Sequence, residues 1–271
     1  MGFGSFKHLK LSEYPELKEL WYGRLEHKAF RSLKYLVVHK CDFLSDVLLQ
    51  PNLLEVLMNL EELEVEDCNS LEAVFDLRGE SPKEVVVQNS SQLKKLKLSN
   101  LPKLKHVWKE DLHYTMRFQN LSDVSVVGCE NLISLFPLSL AKDMTQLQSL
   151  LVSNCGIEEI VAKEEGTDEM VKFVFPHLTS IKLNFLTKLK AFFVGVHSLQ
   201  CKSLKMIQLF GCPKIELFKA EPLIQQESST NDKVNISQYQ PLFVIEEVRI
   251  ALNILLALNI HAHVLTLSMF C

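Results

Sequence analysis

Aliphatic positions recur along the chain in the pattern L-x-x-L-x-L-x-x-C-x-x-L, about eight times from residue 6 onward. The clearest copy runs Leu60, Leu63, Val65, Cys68, Leu71 and Val74, and aligning the others on Cys68 gives Tyr14, Cys41, Cys68, Leu101, Cys129, Cys155, Leu186 and Cys212. Around the central pair of aliphatics the pattern has period two, which predicts one short strand per copy with side chains alternating inward and outward. Counted back from each aligned position, the outward sets are His8, Lys10, Ser12; Tyr35, Val37, His39; Glu62, Glu64, Glu66; Lys95, Lys97, Ser99; Asp123, Ser125, Val127; Ser149, Leu151, Ser153; Ser180, Lys182, Asn184; and Met206, Gln208, Phe210. The aligned residue itself ends the strand and turns into the core.

Successive aligned positions are 27, 27, 33, 28, 26, 31 and 26 residues apart. Leucine-rich repeats return at about 20 to 29 residues, each giving a strand and a helical or irregular way back. The predicted fold is therefore an α/β leucine-rich-repeat solenoid: a curved horseshoe with parallel strands on the concave face and an irregular or short-helical convex side. The two long steps place insertions at residues 76–92 and 162–174. A second period lies over the first: Leu11-Ser-Glu-Tyr-Pro-Glu-Leu-Lys-Glu-Leu-Trp21 returns as Leu98-Ser-Asn-Leu-Pro-Lys-Leu-Lys-His-Val-Trp108 after 87 residues and, more loosely, as residues 183–193 after 85 more. That spacing points to tandem duplication of a three-repeat block.

The repeats are expected to occupy residues 6–218 as one elongated domain, because a solenoid buries its core between neighbouring coils. Residues 219–240, with the run Gln225-Gln-Glu-Ser-Ser-Thr-Asn-Asp232, read as a flexible linker, and 241–271 as a partial repeat followed by an atypical apolar tail. Residues 250–271 carry no Asp, Glu, Lys or Arg and are long enough to cross about 30 Å of hydrocarbon. Asn253, Asn259, His261 and His263 oppose an anchor, leaving a helix capping the last coil or an off-pattern end as the other readings of the tail.

Composition narrows the partners. A net charge of −4 with 23% charged residues gives no basic face for nucleic acid. Five of the seven cysteines stand at the repeat position, where buried thiols act as small hydrophobes, and free thiols fit a reducing compartment. The N-terminal residues have no charged flank and no apolar run, so they do not form a signal peptide, and the expected location is cytoplasmic.

Motifs that would carry chemistry are missing from the sequence: it has no G-x-x-x-x-G-K-[ST] loop, no G-x-S-x-G elbow, no H-E-x-x-H and no CxxC pair, so neither a cofactor nor a metal is expected. Glu62, Glu64 and Glu66 lie beside Lys95 and Lys97 on the next strand, which reads as cross-strand charge pairing or a partner stripe and lacks the cleft a carboxylate enzyme needs. Two apolar patches stand out on the same face. Tyr35, Val37 and His39 form one, and Met206 and Phe210, reached from Val127 and Leu151, form the other; such side chains anchor protein interfaces. These twelve residues are the candidate protein-binding set.

Units such as Leu60-Glu-Glu-Leu-Glu-Val-Glu-Asp-Cys-Asn-Ser-Leu-Glu-Ala-Val-Phe75 and Leu204-Lys-Met-Ile-Gln-Leu-Phe-Gly-Cys-Pro-Lys-Ile-Glu-Leu-Phe218 alternate with the Leu-Pro-x-Leu-Lys-x-x-Trp unit at 98–108. This mixture resembles the repeat region of plant, especially legume, coiled-coil nucleotide-binding leucine-rich-repeat disease resistance proteins, over residues 6 to about 248. The resemblance implies a recognition module of plant innate immunity, not an enzyme, that senses pathogen effectors or modified host proteins. It also implies regulation of a nucleotide-binding switch, whose domain this chain lacks, so nucleotide binding is not carried over. Alternative readings are a free-standing adaptor or decoy, such as a ubiquitin-ligase substrate receptor, and a non-functional truncated receptor fragment.

Overall fold

A computed structural model describes residues 5–14, 30–77, 90–109, 116–164, 170–215 and 264–268. Eight five-residue strands, one per coil, stack in parallel register: His8–Ser12, Tyr35–His39, Glu62–Glu66, Lys95–Ser99, Asp123–Val127, Ser149–Ser153, Ser180–Asn184 and Met206–Phe210. Each has the bounds that counting back from the aligned position gives. Register is in step throughout, Tyr35 opposite Glu62 opposite Lys95 opposite Asp123, because every coil presents the same two aliphatics inward. From coil 2 to coil 7 those inward residues, Leu36 and Val38 through Ile181 and Leu183, are all buried. Each such burial contributes about 1.5–3 kcal/mol before conformational entropy is set against it.

Two turns recur along the coils. Before the strand, Leu33, Leu60, Leu121, Leu147, Leu178 and Leu204 each donate their N–H to the carbonyl three residues back. After the strand stands a residue in the left-handed region: Glu13, Lys40, Asp67, Asn100, Gly128, Asn154, Phe185 and Gly211, with φ between 50° and 70°. Its N–H donates to the last strand carbonyl of the next coil, as in Lys40 N–H to Glu66 O at 3.0 Å and Asn100 N–H to Val127 O at 2.9 Å. The chain thus turns out of the strand while still stitched to its neighbour, and the next residue drops into the core. Cys41, Cys68 and Cys129 are fully buried there and Cys155 nearly so, none in a disulfide. Burial pushes the Cys68 thiol up to about 11.

The far side of the coils carries short parallel sheets that the sequence pattern did not announce. Val47–Leu49, Ala73–Asp76 and His106–Lys109 form one; Ser134–Phe136 with Glu159–Val161, and Val171–Val174 with His197–Gln200, form two more. Residues 162–174, expected as a loop, therefore end in a strand. Val171 and Phe173 face inward while Lys172 and Val174 face out, the alternation of a half-buried strand. Among the described residues the helices are two six-residue turns, Pro51–Val56 and Leu138–Asp143. The expected linker at 219–240 lies outside the described residues. Within the apolar tail, Val264–Ser268 is a strand paired antiparallel with Met206–Phe210, where a capping helix was one of the expectations. No described helix is long and apolar enough to cross a membrane.

Two aromatic clusters fill the far side. Phe75 stacks on Trp108 at 4.4 Å with Phe118 edge-on to both. In coil 7, Phe173 lies among Phe175, Phe192, Phe193 and His197, with ring centroids 5.4–6.4 Å away. His197 is buried and its Nδ1 lies 2.9 Å from the Gly195 carbonyl, the geometry of a neutral ring donating there.

Desolvation holds the His197 pKa below its ordinary 6.5, and burial does the same for His106. In the unfolded chain both rings bind protons from 6.5 downward, whereas the folded chain resists, so the contribution of each ring to stability is fully present above 6.5 and falls on acidification, opposed among the described residues only by Glu159, whose carboxyl pKa burial raises above 4.5. Glu13, Glu61 and Glu158, held below their ordinary 4.5 mainly by hydrogen bonds to lysines, lose their contributions only at lower pH. Urea unfolding between pH 7 and 5 should show this loss, and His197→Gln should flatten it. An unchanged slope in that variant would remove His197 from the account.

Candidate protein-recognition surface

The outward side chains of the eight strands make three rows across one face. All twelve residues selected from the sequence lie on it, in two zones of different character; the register sets Val127 three strands and Leu151 two strands from the strand that carries Met206 and Phe210. In coils 1 to 4 most of the outward charges are mutually engaged. Lys95 pairs with Glu62 at 2.9 Å and Lys97 with Glu64, each directly across the strands. Beside the face, Glu61 bridges Lys34 and Lys94, whose hydrogen bonds hold its carboxyl below the usual carboxylate range. Of the three glutamate carboxylates, that of Glu66, opposite Ser99, has no hydrogen bond or ion pair among the described residues.

The patch of Tyr35, Val37 and His39 is less open than the sequence suggests. Tyr35 is stacked on His8 with centroids 4.3 Å apart and an interplanar angle of 5°. His39 lies 3.0 Å from Ser12 Oγ through Nδ1 and 3.3 Å from Asp67 Oδ2 through Nε2. Serine, histidine and aspartate from three adjacent coils thus form a chain that resembles a nucleophilic triad. Among the described residues, the neighbouring N–H groups of Glu13 and Lys40, which an oxyanion would need, are taken by the His39 and Glu66 carbonyls. The chain of bonds fixes the His39 ring. Among the described residues no group of three or more His, Cys, Asp or Glu could hold a metal ion.

Coils 5 to 8 present a different surface. Ser125, Ser149, Ser153 and Ser180 are small, while Val127, Leu151, Met206 and Phe210 project beside them, all half-buried. Of the twelve outward residues in these coils, Asp123 and Lys182 are the two that are charged.

Sequence reasoning overlooked Phe185, which stands on the left-handed turn ladder where the other coils use Glu, Lys, Asp, Asn or Gly. A bulky residue at φ +53° is strained, and such positions cost on the order of 1–3 kcal/mol. Its ring is 48% exposed and meets Phe210 edge to face, centroids 4.8 Å apart at 88°. Gly211 makes the contact fit, since a Cβ there would lie 3.0 Å from the Phe185 ring. The signal was available in the sequence, as an aromatic in a column of turn formers. A second group of exposed apolar residues, Met170, Val174, Val194 and Val196, lies on the far side along the Val171–Val174 and His197–Gln200 strands and was also not anticipated.

The family model for plant disease resistance protein RPS2-like leucine-rich repeats matches residues 5–156, more than half of the 271-residue chain. The chain belongs to this family. No curated protein and no solved structure matches it. The matched residues run through coil 6, so the RPS2-like repeats include the ion-paired zone and Leu151, while Lys182, Phe185, Met206 and Phe210 lie beyond the match. Repeat arrays of this architecture are typically interaction modules without catalytic chemistry, and a recognition role in plant immunity follows from the family.

Proposed function

We propose that the outward face of the main sheet is the surface by which this chain recognises protein partners in plant innate immunity, either pathogen effectors or host proteins that effectors have modified. The carrying observation is the unbroken register of eight strands, which sets aromatic, aliphatic and charged side chains on one open face of a rigid scaffold. Rigid strands keep these groups positioned before a partner arrives, so little ordering cost opposes binding. Where the repeats form part of a longer receptor, the same face or its rim restrains the nucleotide-binding switch. The reading places the protein in the cytoplasm and needs no cofactor, nucleic acid or membrane contact; free, buried thiols support a reducing compartment.

The test is binding of the full chain to a panel of secreted pathogen proteins and to nucleotide-binding domains of plant resistance receptors. Combined Tyr35→Ala, Leu151→Ser and Phe210→Ala should weaken any partner found by at least about tenfold while the circular dichroism spectrum is kept. Binding that survives this combination shows that the face is not the recognition surface. Co-purification with ubiquitin-ligase subunits, with no effector or receptor partner, would favour the adaptor role.

A further inference from the structure

We infer that the binding chemistry is concentrated in coils 5 to 8 and selects a protein segment that carries a carboxylate and a bulky apolar side chain two or three residues apart. This inference rests on the outward face being the recognition surface, and it names the partner's chemistry. Four of the six outward lysines and glutamates in coils 1 to 4 are already paired, Glu62 with Lys95 and Glu64 with Lys97, so a partner covering them would have to replace satisfied bonds. In coils 5 to 8 the covering cost is lower, because serines and apolar residues surround a single cation at the centre.

That cation is Lys182, in the middle row between Leu151 and Gln208. Its neighbours on the same strand, Ser180 and Asn184, bring no negative charge, and the Asn184 side chain already accepts a hydrogen bond from Gln208 at 3.3 Å. Among the described residues the Lys182 ammonium has no ion pair or hydrogen bond. Lys10 also lacks one, but it is exposed on the first coil, whereas Lys182 is half-buried in a polar, low-charge setting where a partner's carboxylate would meet little competition from water. The complementary group is therefore an acid.

The apolar requirement comes from Phe185. Its backbone is held by a hydrogen bond from Phe185 N–H to Phe210 O at 2.6 Å, and its ring is braced edge-on by Phe210. An aromatic fixed this way and half-exposed loses little freedom on binding, which is what an interface anchor needs. Three residues of extended chain separate it from Lys182, about 10 Å, and an extended partner segment of two or three residues spans the same distance.

A random-peptide library displayed on phage, selected on the full chain, tests this directly. Selection should enrich peptides with Asp or Glu two or three positions from Phe, Trp, Leu or Met. The resynthesised peptides should bind at least about tenfold more weakly to Lys182→Glu and to Phe185→Asn, and equally to Met170→Ser on the far side. Asn is chosen because the same ladder position already holds Asn100 and Asn154, so Phe185→Asn should fold at least as well as the parent. Enrichment of basic or purely apolar peptides, or binding indifferent to both variants yet lost on Tyr35→Ala, overturns the inference and leaves the face as the recognition surface. Absence of any enriched peptide overturns the inference, and enriched peptides insensitive to every change on the sheet face overturn both readings.

Discussion

Replacing Gly156 with alanine is expected to destabilise the chain by about 3 kcal/mol or more, a large share of a domain's usual 5–15 kcal/mol. Gly156 sits at a close contact between coils 5 and 6: its N–H donates to the Cys129 carbonyl at 3.1 Å. A Cβ there would stand 1.9 Å from the Glu130 carbonyl oxygen and 2.8 Å from its carbon, with the Leu132 oxygen at 3.3 Å. Each obstacle is backbone, so no side chain can rotate away. Accommodation requires the two coils to separate, breaking the hydrogen bond and the stacking that passes through Cys129 and Cys155. The comparison is Gly128→Asn: there φ is +70°, which Asn100 and Asn154 show this ladder accepts from asparagine, and the nearest obstacle is the movable Asn100 side chain. Urea denaturation should rank Gly156→Ala far below Gly128→Asn. Equal midpoints would show that the close approach of the coils carries no energetic weight.

Phe173→Ala should cost about 3–5 kcal/mol, the range for removing a buried phenylalanine whose surroundings cannot collapse into the gap. Phe173 is fully buried, and Phe175, Phe192, Phe193 and His197 surround it from both strands of the small sheet and from the turn. Those rings are held on separate segments, so none can fill the vacancy without unpicking the pairing of Val171–Val174 with His197–Gln200. Coil 7 carries Ser180–Asn184 on its other side, so the loss should reach binding through Lys182 as well as stability. Val174→Thr on the same strand, at an exposed position, should move stability by no more than about 0.5 kcal/mol. Thermal unfolding with near-ultraviolet circular dichroism separates the two variants, and a Phe173→Ala protein as stable as Val174→Thr would refute the role given to this cluster.

The sequence made the eight main strands legible because their signal is local and periodic: two aliphatics in alternation, then a cysteine or leucine six residues beyond the strand's first position, repeated so often that chance is excluded. The outward rows followed from that register. Less of the far side could be read. Ala73, Val74 and Phe75 are all buried, so this strand shows no alternation to mark it, and its partners come from the coils on either side. Gly156 could not be singled out, since nothing in the sequence says that coil 6 lies against the Glu130 carbonyl. The candidate site was legible as positions and not as energetics: that Tyr35 leans on His8, that His39 is tied to Ser12 and Asp67, and that Lys182 lacks an anion depends on side-chain geometry across coils. Phe185 was legible as an aromatic in the column of left-handed turn residues, a signal that lies outside the alternation marking the strand rows.

The central claim is that partners meet the outward face of the sheet, chiefly in coils 5 to 8. A photo-reactive amino acid placed in turn at Leu151, Gln208, Ile133 and Met170, in the full chain bound to a partner, tests it most directly. Leu151 and Gln208 lie on the sheet face, while Ile133 and Met170 are exposed away from it. The account predicts cross-links to the partner from positions 151 and 208 and none from 133 and 170; cross-links confined to 133 or 170 would contradict it.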